Sequence, residues 1–161
     1  AVDDFASHQL DKETPMEPIR CNGYVPDADD RWIIFTVRGE QYAIDSGRFP
    51  VMVLMRHYSL DHNDWDMDLM HKAAHQVSDE LIMCKVLFCG EDEDGIVFQL
   101  SAIEDKYGHF KDCLTRYISI IEESYARMSE IYNEMCAKRK EGLSLSPQLG
   151  TGASGEKKVM S

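Results

Sequence analysis

His71 and His75 stand four residues apart in LMHKAAHQV, residues 69–77. On a helix this spacing sets both imidazoles on one face, as the zinc motif H-E-x-x-H does. A zinc hydrolase also needs a third protein ligand and a general base, usually a glutamate directly after the first histidine. Lys72 holds that position here, and an ammonium beside a dication is repelled by it. His57, His62, Asp66 and Asp68 are close enough in sequence to complete a ligand set. By helical phase the pair falls at the border of the apolar stripe Met70, Ala74, Val77 and Leu81, where surface histidines are ordinary. The sequence therefore sets a metal-binding protein or metal-dependent hydrolase built on His71 and His75 as the alternative to a non-enzyme without cofactor.

Other chemistry-bearing residues are scattered. EDEDG at 91–95 is not a calcium loop, because counting from Asp92 the twelfth position is Ile103 rather than the bidentate glutamate required. It reads as hairpin charge that discourages edge-to-edge sheet pairing. The five cysteines, Cys21, Cys84, Cys89, Cys113 and Cys136, form no C-x-x-C, which fits reduced thiols in the cytoplasm. No G-x-S-x-G, Walker or G-x-G-x-x-G sequence occurs. The nine methionines suit either a core or an adaptable binding face.

A net charge of −12 from 29 acidic and 17 basic side chains speaks against binding nucleic acid or an anionic membrane, which both require clustered cations. No apolar run approaches the roughly 20 residues of a membrane span. The chain starts without Met, so whether a leader was removed stays open. With 161 residues, 43% of them hydrophobic, one domain with a real core is expected. We place it at residues 18–140, between a poorly ordered segment at 1–17 and a flexible tail at 141–161.

The elements that must position these residues follow from periodicity. WIIFTV alternates Ile33, Phe35 and Val37 against Trp32, Ile34 and Thr36, which predicts a strand. Gly39 turns the chain into EQYAID. FPVMVLMRHYSL is apolar on both faces, as a central strand is. Residues 61–82 change to a helical period, with Asp64 or Asp66 as the cap. MCKVLFCG and GIVFQLSAI are then strands joined at Asp94-Gly95. From Gly108 to Lys140 one helix carries the stripe Phe110, Leu114, Tyr117, Ile121, Met128, Ile131 and Met135, with Ser124 its polar interruption. YVPDADD reads as a turn, and a short helical turn opening near Pro18 closes at Gly23. The result is an α+β domain of order β-β-β-α-β-β-α, an antiparallel sheet of about five strands with helices packed against it.

The last helix, roughly 45–50 Å long at 1.5 Å per residue, overreaches a sheet about 20–25 Å across. A second subunit is the expected cover for its far end, which makes Met128, Ile131, Tyr132 and Met135 candidate partner-binding residues.

The run NGYVPDADDRWIIFTVRGEQYAID resembles the opening of the YbjN-like family of small bacterial proteins, whose fold is shared with type III secretion chaperones. The matching positions are Gly23, Tyr24, Pro26, Asp29, Asp30, Phe35, Gly39, Tyr42 and Ile44, and the downstream order of helix, hairpin and long closing helix is similar. The first helix and the closing helix with its tail depart from the family pattern. The resemblance implies no catalytic residues. It implies a dimer-forming domain that binds another protein or peptide segment, an adaptor or accessory to regulation.

Overall fold

The computed structural model describes residues 13–29, 31–48, 50–103 and 107–144. Helix α1 (Glu13–Cys21) precedes strands β1 (Asp27–Asp29), β2 (Trp32–Val37) and β3 (Glu40–Asp45). A 3-10 turn at Ser46–Arg48 leads into β4 (Val51–Ser59), helix α2 (Met67–Glu80), β5 (Cys84–Cys89), β6 (Gly95–Ile103) and helix α3 (Tyr107–Ser144). The domain is α+β, as expected, with one antiparallel sheet ordered β1-β2-β3-β4-β6-β5. Strand β4 is central, which its apolar residues on both faces predicted. The sheet has six strands rather than about five. The extra one is β1, whose sequence DAD has almost no strand propensity and is held by its register on β2, Asp27↔Ile34 to Asp29↔Trp32.

Helix α1 starts at Glu13, ahead of the opening expected near Pro18. Proline there forfeits a single i−4 bond just after the first turn, and burial of Met16 and Ile19 offsets the loss. Its end is a Schellman cap: the Gly23 N–H donates to the Arg20 carbonyl at 2.9 Å and the Tyr24 N–H to the Ile19 carbonyl at 3.2 Å. Of the segments expected to be loose, 1–17 and 141–161, residues 13–17 belong to α1 and 141–144 to α3, while 1–12 and 145–161 lie outside the described residues.

The β5–β6 turn also differs from the expectation. Gly95 is already in the strand, opposite Cys89, and the left-handed positions are Gly90 at φ +86° and Glu93 at φ +54°. A Cβ on Gly90 would collide with the Asp94 carboxylate.

Every stripe residue of α3 named from the sequence is buried except half-buried Met135. Buried Ser124 donates its hydroxyl to the Ile120 carbonyl at 2.7 Å, which satisfies the polar interruption within the helix. At 38 residues the helix is about 57 Å long, and three different covers line it. Near its start lies α1, whose following residue Asn22 donates to the Lys111 carbonyl at 2.9 Å. The middle lies on the sheet, where Tyr125 stacks on Tyr58 with centroids 4.9 Å apart.

The far end is covered by α2 and the loop before it. Trp65 meets Tyr132 edge-on at 5.2 Å, and the Asp66 N–H donates to the Tyr132 hydroxyl at 3.0 Å. Arg139 pairs with Asp66, the residue that caps α2, and Arg127 grips Glu80 through two bonds of 2.8 and 3.1 Å. Those bonds from Arg127, with one from Gln76, push the Glu80 carboxyl down to about 2. The expected second subunit is therefore not needed to bury Met128, Ile131 and Tyr132; the chain folds back to do it.

Two predictions follow from this packing. Met128→Ala and Ile131→Ala each lower the unfolding free energy of the isolated chain by about 2–4 kcal/mol, the cost of a core cavity, while half-buried Met135→Ala costs under about 1 kcal/mol, read by urea titration. Gly90→Ala costs at least about 1–2 kcal/mol for the left-handed backbone alone, read the same way.

Candidate functional site

The two histidines of the opening motif engage different partners. His71 Nε2 lies 2.7 Å from a carboxylate oxygen of Glu93, and its ring packs on Phe88 with centroids 4.1 Å apart. His62 Nε2 contacts the Glu93 carbonyl at 2.9 Å. Glu93 is the residue with left-handed backbone, an arrangement that costs a non-glycine residue energy, so two histidines anchor the strained turn of the acidic hairpin. His75 reaches Asp79, at 3.5 Å along its own helix. Among the described residues no group of three His, Cys, Asp or Glu side chains is gathered for a metal. The cysteines are free. Burial pushes the Cys84 thiol up, and burial together with the Asp94 charge does so for Cys89, which keeps both protonated and poor nucleophiles.

Met128, Ile131 and Tyr132 are buried against their own chain and Met135 is half-buried. The sheet edges offer little more. On β5 the Val86 N–H already donates to the Ser78 hydroxyl of α2 at 3.1 Å, and β1 is three residues long.

What remains open is a face. The alternation and register of the strands place Trp32, Ile34, Ala43, Val51, Val53, Met55, His57, Val97, Gln99 and Leu87 on the side of the sheet away from the core. None of these belongs to the hydrophobic cluster that joins the sheet to the helices, nor packs against it. Trp32 is 36% exposed and Leu87 45%, and among the described residues no helix crosses this side. Two shallow grooves run over it. One, about 700 Å³, is lined by Arg31, Trp32, Asp45, Arg48, Val51, Val53, Met55, Gln99 and Ser101. The other, about 530 Å³, runs over Trp32, Ile34, Ala43, Met55 and Val97 and ends at Glu40, Tyr42 and Arg56.

Asp45 organises the first groove. Its carboxylate accepts from Arg31 Nε at 2.8 Å, Arg48 Nε at 3.0 Å and the Gly47 N–H at 3.0 Å. Burial alone raises its pKa, but these donors and the Arg31 charge outweigh burial and hold the carboxyl below its ordinary 3.8. The arrangement fixes two arginines beside Trp32, with Arg31 over the indole at 5.5 Å.

The second groove ends where the sheet opens. The β3–β4 ladder holds only Asp45↔Val53, Ile44↔Leu54 and Ala43↔Met55. Strand β3 stays paired with β2 out to Val37↔Glu40, and β4 with β6 out to Ser59↔Gly95. Glu40–Tyr42 and Arg56–Ser59 thus diverge. The β2–β3 hairpin is drawn toward α3, where Arg38 at its tip pairs with Glu122. Arg56 occupies the notch, 8% exposed, with its guanidinium 4.4 Å from the ring centre of Tyr58 and 5.7 Å from those of Tyr42 and Tyr125. Glu40, whose side chain is 54% exposed, closes the ion pair. Burial raises the pKa of Tyr42, Tyr58 and Tyr125, so all three stay neutral phenols. The sequence signal for this face was the doubly apolar VMVLM and the Trp32–Ile34 side of WIIFTV; nothing marked Arg56.

Asp45→Asn is expected to cost about 1–3 kcal/mol at pH 7, the scale for hydrogen bonds to a buried charge. Because the folded pKa is depressed, this stabilisation is present above about pH 4 and is lost as pH falls through the folded value. The difference between wild type and variant in urea midpoint should therefore shrink below pH 4.

No protein-family model matches this sequence, and no curated protein is similar to it. Solved structures do share the architecture. YbjN of E. coli, described as a proposed transcription regulator, superposes with a TM-score of 0.54 at 11% identity, over 81% of this chain and 95% of its own. An uncharacterized protein from Methanothermobacter thermautotrophicus gives 0.54 at 10% identity, over 77% of this chain and 97% of its own. At such identities the likeness is one of fold. The chain has the YbjN-like fold that its opening strands resembled.

Proposed function

We propose that this chain is a non-enzymatic protein-interaction domain that receives an apolar segment of another polypeptide on the open face of its sheet. One observation carries the reading: the central strand is apolar on both sides, yet the described helices cover only one. Exposed apolar surface gathered into a groove is the usual mark of an association site, and Met55 at its centre is the residue type that adapts to varied partners. Arg31, Arg48 and Trp32 at one end belong to the residue types that dominate binding energy. The fold likeness agrees with a non-catalytic role, as does the engagement of His71 by Glu93.

A photocrosslinking residue at Val97, within the groove, and a control at exposed Glu134 on α3 test this in the native cell. The expected result is one adduct from position 97 and none from position 134, with the yield cut about tenfold or more by Met55→Arg, the loss of a central contact. An adduct of twice the chain's mass identifies the occupant as a second copy. Equal yields from both positions, or an adduct indifferent to Met55→Arg, contradict the reading.

A further inference from the structure

The notch between β3 and β4 holds a cation in an unusual state of pairing. Arg56 is almost wholly buried, and its one carboxylate partner among the described residues, Glu40, sits half in water. Glu40 is also at the first position of its strand, next to the Arg38–Gly39 turn, so its side chain can swing outward without disturbing the ladder. Beside the guanidinium, the hydroxyls of Tyr42 and Tyr58 are buried, and neither has an acceptor for its proton among the described residues. A buried phenol without an acceptor is rare, because it forfeits the hydrogen bonds water would give. Arg56, Tyr42 and Tyr58 project to the helix side of the sheet, and the apolar groove over Ile34, Ala43, Met55 and Val97 on the other side meets Arg56 and Tyr42 at the gap where β3 and β4 part.

We infer that the notch is a carboxylate-binding site in which Glu40 is a built-in stand-in, displaced when a partner places its own carboxylate against Arg56. The inference rests on the open face being the docking surface, and it specifies the occupant: a segment with aliphatic side chains for the groove and an acidic side chain or chain terminus for the notch. The exchange keeps Arg56 paired in both states, so the cost of a buried uncompensated charge never arises. The incoming carboxylate gains what Glu40 lacks, a planar guanidinium fork whose attraction is strengthened by the apolar lining. It also brings acceptor oxygens to the two hydroxyls. Aromatic rings around Arg56 hold the fork in place before the ligand arrives, which lowers the ordering cost of binding.

Two probes of nearly identical shape separate charge from grease: N-acetyl-leucine, which ends in a carboxylate, and N-acetyl-leucinamide, which does not. Titrated into the isotope-labelled full chain, the acid is expected to shift the amide resonances of residues 40–43, 55–57 and 97 saturably in the millimolar range. The amide should bind at least about tenfold more weakly, the difference a charge-assisted pair makes. Glu40→Gln removes the internal competitor and should tighten the acid about threefold or more without helping the amide. Arg56→Lys keeps the charge but loses the fork and should erase most of the discrimination. Acid and amide shifting the groove equally would remove the carboxylate site while leaving the face as a docking surface. An acid affinity unmoved by Glu40→Gln would overturn the displacement. Absence of any shift by either probe overturns the inference, while the crosslinking result judges the docking surface separately.

Discussion

The described helices all lie on one side of the sheet, and that single fact organises everything else. A sheet buried on both faces has strands that are apolar throughout, whereas a sheet with one wet face alternates. Here β4 has the first kind of sequence in the second kind of environment. Met52 and Leu54 enter the core, while Val51 and Met55 face the other way with no described helix above them. Such surface lowers its free energy when something covers it, at about 25 cal/mol per Å².

The covered side is correspondingly complete. Helix α3 is too long for the sheet, and the chain meets the problem with α1 at one end and α2 at the other, so the helix acts as a spine that ties both ends of the domain together. Polar contacts fix that arrangement: Asp66 caps α2, donates its N–H to Tyr132 and receives Arg139. The β2–β3 hairpin is tied to the same helix through Arg38 and Glu122. Beyond Ala43↔Met55 that hairpin has parted from β4, and Arg56 sits in the notch between them.

Much of the fold was legible because it rests on local periodicity. The α3 stripe, the Gly23 cap and the strand pair around Gly39 could be read directly. What could not be read depends on tertiary partners. Strand β1 has no propensity of its own and exists by pairing with Ile33 and its neighbours. Helix α1 tolerates Pro18 because Met16 and Ile19 find a core. Glu93 adopts a left-handed backbone that its residue type disfavours, held there by His62 and His71, so the histidine pair and the acidic run, which looked like separate features, are parts of one contact. The site was half visible: the apolar second face of β4 is a sequence property, but its lack of a cover among the described residues is not. Arg56 looked like an ordinary strand residue, since its tyrosine partners come from β3, β4 and α3.

The openness of the outer face in the isolated chain can be measured directly with a soluble paramagnetic probe and methyl-labelled protein. The methyl signals of Ile34, Val51, Met55 and Val97 should broaden far more strongly than those of Ile33, Leu54 and Leu100 on the opposite face of the same strands. Equal protection of the two sets would mean that the outer face is already covered, by the chain itself or by a second copy, and would contradict the account of a sheet awaiting a partner.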